Sequence, residues 1–376
     1  MVFWADATLA SIFTRSFIVQ ASIALALVVV VAIVATTIAT NLQRLNLNIG
    51  FGFLLRPAGF PMSESVLPVG SSDNLFWVIV AGAVNSILAA VLACLLATAL
   101  GICVGVMRLS ENPILRLLTK LYIDVCRNIP VLLQILVWAA FLQHLPQARE
   151  AWSIGGVVFI SQHGLQIPAL RADPGSGILP YALVGAALVG LAVRFVFKRG
   201  WMLSILSVAV SLTSALQLAG ALRVEVPVQK AFGFTGGSLL SPEFTALTVG
   251  LTVYSGAFIA EIVRGGIMAI SSGQKEAARS LGLSTSQTMR LVIIPQALRI
   301  GLPAVTSQYV STIKGTSLAI AIGFPDLYWA ISSISNVTGH VLEALAIMAV
   351  AYLTMALSTS AAMNAYHVRL TRGMQR

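Results

Sequence analysis

The sequence predicts an all-α integral membrane protein with about eight transmembrane helices. Of its 376 residues, 57% are hydrophobic and 10% are charged, and its mean hydropathy is +0.90. Soluble domains carry roughly 25% charged residues, so this chain has too few charges to cover a water-facing surface. Its apolar runs reach the ~20 residues that a helix needs to cross the membrane, well beyond the ~10 alternating residues of a barrel strand.

Eight apolar segments are predicted to span the membrane, the third of them at the lower length limit. The first exceeds the roughly 7–15 residues of a signal-peptide core, which favours a retained span. Only Lys198, Arg199 and Gly200 separate the fourth segment from the fifth, which predicts a tight helical hairpin. The segments are Phe17–Thr40, Phe76–Met107, Ile129–Leu145, Ile178–Phe197, Trp201–Leu222, Phe244–Arg264, Gly301–Phe324 and Val341–Ala362.

The basic residues predict the orientation. With the N-terminus inside, sixteen Lys and Arg fall on the inner side of the membrane and six fall in outward loops. Because cytoplasmic loops are enriched in Lys and Arg, both termini are predicted to be cytoplasmic. The +10 net charge has the same explanation, and no block of basic residues predicts nucleic-acid binding. The three cysteines and four histidines have no ligand spacing, so no metal site is predicted.

The stretch from Ser271 to Pro303 holds the most informative motif and lies on the predicted cytoplasmic side. It contains Glu276-Ala277-Ala278, then Gly282, and nine residues later Val292-x-Ile294-Pro295. Ala277, Ala278 and Leu281 form a small apolar face at helical spacing, with Glu276 and Arg279 beside it. Gly282 allows a sharp turn at the helix end. The pattern predicts a short helix-turn-helix at the membrane surface, suited to a cleft in a soluble partner.

This pattern resembles the EAA loop in permeases of bacterial ABC importers, with Val292 and Ile294 at its two aliphatic positions. The resemblance implies a type I importer permease fold in the inner membrane. It also implies that the loop transmits ATP-driven motion of a partner to the spans. Glu276 would then pair with a basic group on that ATPase, and Ala277 and Ala278 would allow its close approach.

Further motifs resemble the polar-amino-acid branch of these permeases. They are Gly82–Ser86, Gly101–Arg108, Arg127–Gln134, Ala260–Gly266 and Lys314–Leu318. The chain is longer than the core of that family and in this respect resembles general L-amino acid permeases. This resemblance implies four segments. They are an N-terminal span and periplasmic loop (1–73), the first part of the core (74–145), inserted periplasmic loops and a helical hairpin (146–243), and the second part of the core (244–376) with the coupling loop (271–303). The implied partners are an ATP-binding subunit homodimer, a second homologous permease, a periplasmic solute-binding protein, membrane lipid and amino-acid substrate.

The chain lacks the motif for an ATP site of its own. A Walker A loop needs Gly-Lys-Ser/Thr to cradle phosphates, and none of the five lysines precedes Ser or Thr. We therefore expect this chain to be neither an enzyme nor a cofactor-binding protein, with ATP and Mg²⁺ held by the partner ATPase.

Several polar residues within the spans are candidates for the translocation path or the permease interface. Lys314 lies ~20 Å along a helix from Gly301, where an ammonium needs a polar cavity or partner. Lining the path and bonding carbonyls at an interface are both consistent with its position. Thr316 and Ser317 accompany it, and Asn85, Ser86, Gln134 and Gln308 are weaker candidates. Glu261 and Arg264 stand at (i, i+3), so they can pair, anchor the span or gate.

Two other classes of protein are less consistent with the sequence. An ion-coupled secondary transporter, the alternative function, would need carboxylates deep in its spans, and only Glu261 and Glu343 are candidates, both near span ends. A membrane-embedded enzyme would need a catalytic motif, and neither H-E-x-x-H nor a Ser/His/Asp arrangement is evident. Gly101 and Gly105 form a G-x-x-x-G that predicts close helix packing.

Overall fold

The computed structural model describes residues 3–44, 50–172, 222–230 and 233–372. It divides into two compact units, Met1–Phe53 and Leu54–Arg376. The first unit contains α1 (Phe3–Arg44), a 42-residue helix that includes the predicted span Phe17–Thr40. The predicted spans Ile178–Phe197 and Trp201–Leu222, apart from Leu222 itself, lie outside the described residues.

The second unit is built mainly from helices. In chain order they are α2 (Leu75–Met107), α3 (Pro113–Asn128), α4 (Val131–Gln143), α5 (Pro242–Met268), α6 (Ser272–Ser280), α7 (Thr285–Thr288), α8 (Ile294–Gly315), α9 (Leu327–Thr338) and α10 (Val341–Arg372). Short 3₁₀ helices occur at Gly52–Leu55, Ala148–Glu150 and Thr316–Ile322, and Met289–Ile293 is a π-helical turn. The predicted helical class is confirmed.

The number of spans differs from the predicted eight. In the described part of the chain, four helical segments are long and apolar enough to cross a membrane: Leu75–Met107, Pro242–Met268, Thr285–Ile322 and Val341–Thr371. A fifth span results if α3 and α4 are taken as one broken element. The structure therefore confirms a polytopic membrane protein but not the count of eight.

The predicted third span, Ile129–Leu145, is wrong as a single helix. Only Val131–Gln143 is helical there, and 13 residues cover roughly 20 Å, less than the hydrocarbon core. Pro130 causes the break, since it disfavours helical geometry at the preceding residue, and Ile129 is extended. The direction of the chain consequently bends by 108° between α3 and α4.

Where the sequence predicted only ordered or semi-ordered surface connections, the described part of the inserted segment contains eight short strands. They are β1 (Trp152–Ile154), β2 (Val158–Ser161), β3 (Gly164–Ile167), β4 (Ala169–Ala172), β5 (Leu222–Glu225), β6 (Val228–Lys230), β7 (Gly233–Thr235) and β8 (Ser238–Leu240). Antiparallel pairing gives a sheet in the order β1-β2-β3-β8 and two separate pairs, β4-β5 and β6-β7. The last strand of the larger sheet leads directly into α5.

The helix pair α2 and α5 forms the centre of the second unit. Gly101 and Gly105 face α5, where an added Cβ at Gly101 would lie 2.6 Å from Ile259 Cγ2. The equivalent atom at Gly105 would lie 2.7 Å from the Ala260 carbonyl oxygen. This confirms the predicted close packing at the G-x-x-x-G. A neighbouring apolar cluster joins α2, α4 and α5 to the 3₁₀ helix that follows α8.

Candidate functional site

The segment that follows α5 folds as the predicted helix-turn-helix. The first helix, α6, has nine residues and exposes the side chains of Glu276 and Ala277. Leu281, one turn after Ala277, is 81% exposed, which is unusual for a leucine. Ala278 is 3% exposed, so its methyl group packs inside this chain instead of facing outward. The exposed surface of this segment therefore includes Glu276, Ala277, Arg279 and Leu281 but not Ala278.

A Schellman motif ends α6 at the predicted glycine. The Leu283 N–H donates to the Ala278 carbonyl at 3.1 Å, and the Gly282 N–H donates to the Arg279 carbonyl at 2.9 Å. Gly282 has φ +78°, a conformation that costs little only for glycine. The chain thereby reverses direction within two residues, which keeps Leu281 at the tip of the loop.

A second short helix then returns the chain to the membrane span. Ser284 and Gln287 form a reciprocal capping box at the start of α7. Pro295 lies in the first turn of α8, where its missing N–H is tolerated, and a π-helical turn precedes it. Gln274 of α6 accepts a hydrogen bond from Gln296 of α8. This bond connects the loop helix to the span.

An ionic cluster lies near the same end of α5. The Arg264 Nε donates to both carboxylate oxygens of Glu261 at 3.1 Å. Arg108, which caps the end of α2, places its Nε 3.8 Å from Glu261 Oε2. The guanidinium of Arg127 stacks over the ring of Phe258 at 5.1 Å. The predicted pairing of Glu261 with Arg264 is thus present, and Arg108 adds a link between the two central helices.

Lys314 lines a pocket of about 280 Å³ formed by the start of α4, by α5, by α8 and by the 3₁₀ helix that follows α8. Its lining is mixed, with Val131, Leu251 and Leu318 as apolar residues. The Lys314 side chain is exposed, and Ser317, Ser311 and Gln308 share the lining. Gln308 Nε2 donates to Ser255 Oγ at 3.2 Å, and Ser255 Oγ lies 2.8 Å from Thr312 Oγ1. The pocket therefore combines one ammonium with several hydroxyl and amide groups, a set that can hold a carboxylate.

A family model described as "Binding-protein-dependent transport system inner membrane component" matches residues 97–372, which include the loop, the ionic cluster and the pocket. The chain belongs to this family. It is therefore an inner-membrane component of a transport system, and the ion-coupled transporter is the less consistent alternative.

Three relatives are similar to this permease over nearly their whole lengths. YhdX of Escherichia coli, named as an amino-acid ABC transporter permease protein, is 38% identical over 95% of this chain and 94% of its own. The general L-amino acid transport system permease protein AapQ of Rhizobium johnstonii is 38% identical over 90% and 87%. The glutamate/glutamine/aspartate/asparagine transport system permease protein BztB of Rhodobacter capsulatus is 33% identical over 87% and 87%.

Four of the permease's predicted path residues, Asn85, Ser86, Gln134 and Thr316, make buried contacts instead of lining the Lys314 pocket. Asn85 Nδ2 donates to the carbonyls of Glu64 at 3.0 Å and Pro325 at 2.9 Å. Ser86 Oγ accepts from the Leu327 N–H at 3.0 Å. Both side chains thus fix the segments before α2 and α9 onto α2.

Gln134 and Thr316 also bond within the permease. Gln134 Nε2 donates to the carbonyls of Cys126 at 2.8 Å and Ile129 at 3.0 Å, across the break between α3 and α4. Thr316 is fully buried and donates to the Ile313 carbonyl at 2.8 Å. Of the Lys314-Gly315-Thr316-Ser317 motif, only Thr316 is absent from the pocket lining.

Sequence reasoning missed four polar residues of the pocket, namely Tyr254, Ser255, Ser311 and Thr312. Ser255 and Thr312 carry hydroxyl groups inside apolar spans, and this polarity was the sequence feature that could have identified them. Their pairing could not be predicted, because it joins positions on different helices. Asp326 was also missed: it is fully buried, accepts from the Trp329 N–H at 2.8 Å and caps α9.

Proposed function

We propose that this permease forms part of the transmembrane channel of an ATP-driven amino-acid importer. Support comes from the family match and from relatives that are named as amino-acid permeases. The observation that carries the proposal is the loop helix α6, which exposes Glu276, Ala277 and Leu281 at the tip of a rigid turn. Ala277 and Leu281 leave apolar surface uncovered next to the Glu276 carboxylate, and a groove in a partner protein would remove that apolar surface from water.

ATP and Mg²⁺ are held by a separate ATPase homodimer. Two features support the assignment of ATP binding to a separate subunit. This chain lacks a Walker A lysine, and α6 has an exposed surface on which such a subunit can dock. A second homologous permease completes the channel, and a periplasmic binding protein delivers substrate. We place both termini and the coupling loop (271–303) in the cytoplasm, in keeping with the excess of Lys and Arg there.

Transport proceeds by alternating access. Closure of the ATPase pair moves α6, and the bond between Gln274 and Gln296 passes that motion to α8. The helix α8 carries Lys314. When α8 moves against α5, the side of the membrane from which substrate can enter the pocket changes. Hydrolysis and release of the ATPase pair reset the permease.

Lys314 binds the carboxylate of the transported amino acid. Its ammonium is exposed to the pocket, and Ser311 and Ser317 supply hydroxyl donors beside it. A lysine that only packed against the second permease would not need this polar lining. The exposed ammonium within an otherwise apolar span is stable because the pocket gives it polar surroundings.

The coupling role is tested by Glu276→Lys in cells that express the complete transport system. We expect amino-acid uptake to be abolished, because the reversed charge repels the basic groove of the ATPase, while membrane insertion is normal. Glu150→Lys, an identical charge change at another exposed site, is the control and keeps full uptake. Normal uptake by the Glu276→Lys permease would refute the coupling role.

The pocket role is tested by Lys314→Met, with Lys230→Met as an exposed control. We expect uptake to fall at least about tenfold, since loss of a charged hydrogen bond costs about 1.5–3 kcal/mol. Co-purification of the two permeases and the ATPase is measured in parallel. An unchanged complex with lost uptake supports carboxylate binding, whereas a dissociated complex assigns Lys314 to the permease interface.

A further inference from the structure

A second cavity, of about 690 Å³, opens between the end of α2, the start of α3 and the end of α5. Four of its nine lining residues are basic, namely Arg108, Arg116, Lys120 and Arg264. The remainder are Ser110 and four apolar residues, Leu109, Pro113, Leu117 and Met268, so the cavity has both a basic and an apolar lining. Among the described residues of the chain, no acidic one lines it. The cavity therefore has the character of a receptor for an anion that carries an apolar portion.

The positive charge in this cavity is only partly neutralised. Glu261 pairs with Arg264 and lies 3.8 Å from Arg108 Nε, beyond hydrogen-bonding distance. Arg108 is 16% exposed, yet its Nε and Nη1 donate no hydrogen bond in the described part of the chain. Arg108 therefore adds positive charge to the cavity lining that the described part of the chain neutralises only through the distant Glu261 carboxylate.

Arg116 and Lys120 lie one turn apart on α3, and both are exposed. Among the described residues, neither side chain forms an ion pair within 4 Å with a carboxylate. These two cations are therefore available to a ligand. Their separation of four residues places them on one face of the helix, above the opening of the cavity.

The helix α3 has the features of a helix that lies in a membrane interface. Its exposed apolar residues recur at helical spacing and form a stripe: Ile114, Leu117, Leu118, Leu121 and Val125, at 66%, 66%, 58%, 59% and 44% exposure. Leu117 belongs both to this stripe and to the cavity wall. A helix with such a stripe beside basic residues inserts at the boundary between headgroups and acyl chains. The headgroup of a phospholipid at this depth would lie at the cavity.

We infer that this cavity binds the phosphate of an anionic phospholipid, with Arg108, Arg116 and Lys120 contacting the headgroup and Leu117 contacting the acyl chain. The assignment of the lipid to the cytoplasmic leaflet rests on the orientation proposed above. Phosphate chemistry alone would also fit a free phosphate ion. The apolar lining and the lipid-facing stripe favour the lipid, because a free ion would leave both uncovered.

The test uses the complete transport complex, purified in mild detergent and reconstituted in nanodiscs of phosphatidylglycerol and phosphatidylcholine. Bound lipid is identified by native mass spectrometry. We expect the unaltered complex to retain phosphatidylglycerol. The double variant Arg116→Gln with Lys120→Gln should bind it more weakly, by about fivefold for each charge removed. The charge-conserving variant Arg116→Lys with Lys120→Arg should retain it.

The matched control is Arg56→Gln with Lys230→Gln, which removes two charges at exposed sites elsewhere. It should retain as much phosphatidylglycerol as the unaltered complex. Equal retention by the Arg116 and Lys120 double variant would overturn the inference, as would binding of inorganic phosphate by a complex that retains no phosphatidylglycerol. Because lipid retention is measured without transport, failure of the lipid site is distinguishable from failure of the proposed import function.

Discussion

At the residue scale, two glycines set the separation of α2 and α5. An added Cβ at Gly101 would approach Ile259 to 2.6 Å, and one at Gly105 would approach a backbone carbonyl of Ala260 to 2.7 Å. Both distances are far below normal van der Waals contact. The contact with Ile259 involves a β-branched side chain, which has little rotamer freedom in a helix. The helices therefore have to move apart if either glycine is replaced.

Gly101→Ala should lower the stability of the permease by about 1–3 kcal/mol, because the close-packed helix pair cannot absorb an extra methyl group. The measurement is the thermal unfolding midpoint of the purified complex. Gly265→Ala is the matched control on α5, since in the described part of the chain no atom of a packing neighbour lies within 4 Å of its added Cβ. Helix propensity should make that variant slightly more stable, by up to about 1 kcal/mol. Equal midpoints for the two variants would contradict the packing argument.

At the element scale, the short elements owe their geometry to single residues. Gly282 ends α6 in a left-handed conformation, and Pro130 separates α3 from α4. Pro130 has no N–H, so the Cys126 carbonyl lacks the donor that a continuous helix would provide. The Gln134 side chain supplies that donor at 2.8 Å. Loop direction and helix bend are thus each fixed by one residue and its local hydrogen bonds.

Gly282→Ala should reduce uptake while the permease still inserts. An L-residue held at φ +78° costs about 1–2 kcal/mol, so the turn opens and Leu281 moves from its position at the tip. Uptake and hydrogen exchange of residues 272–280 are measured together. Gly273→Ala, on the same helix with open space around its Cβ, should keep normal uptake and exchange. Normal behaviour of both variants would show that the turn geometry is not needed.

Gln134→Leu should destabilise the permease by about 1–3 kcal/mol. The buried carbonyls of Cys126 and Ile129 at the helix break would both lose the Gln134 amide that donates to them. Gln143→Leu, at an exposed position on the same helix, is the control. The thermal unfolding midpoints of both variants are compared with that of the unaltered complex. A midpoint for Gln134→Leu equal to that of the control would indicate that the side chain is dispensable for the bend.

At the scale of the whole molecule, two kinds of surface are separated along the chain. Long apolar stripes remain exposed on the spans, for example Val91 and Leu95 on α2 and Leu353 and Leu357 on α10. Such surfaces are stable only against lipid or another permease. The loop around α6 instead carries exposed charged residues, among them Glu276 and Arg279, as expected of a water-facing end. This separation is what a membrane-spanning subunit of a larger complex requires.

The proposed orientation predicts opposite labelling of two introduced cysteines. Exposed Cys103 is first replaced by Ser, while Cys94 and Cys126 are buried and can remain. In intact cells, a membrane-impermeant thiol reagent should modify Glu150→Cys but not Ser280→Cys. After permeabilisation both should react, because both positions are exposed. Labelling of Ser280→Cys in intact cells would place the coupling loop outside and reverse the topology.

The sequence by itself determined the membrane class, most of the long spans and the helix-turn-helix at residues 271–303. These features depend on local properties: hydropathy measures transfer of a segment into lipid, and Gly282 acts on its own backbone. Pro130 was visible too, yet the bend it produces was not predicted, because the apolar run continues past it.

Only the tertiary structure decided which side chains meet. It placed Ala278 inside the chain, tied Asn85 to Pro325, and assembled the Lys314 pocket from several helices. Each of these outcomes depends on contacts between distant parts of the chain. Hydropathy and motif spacing describe one segment at a time, so they carry no information on which face of a helix its neighbours will cover.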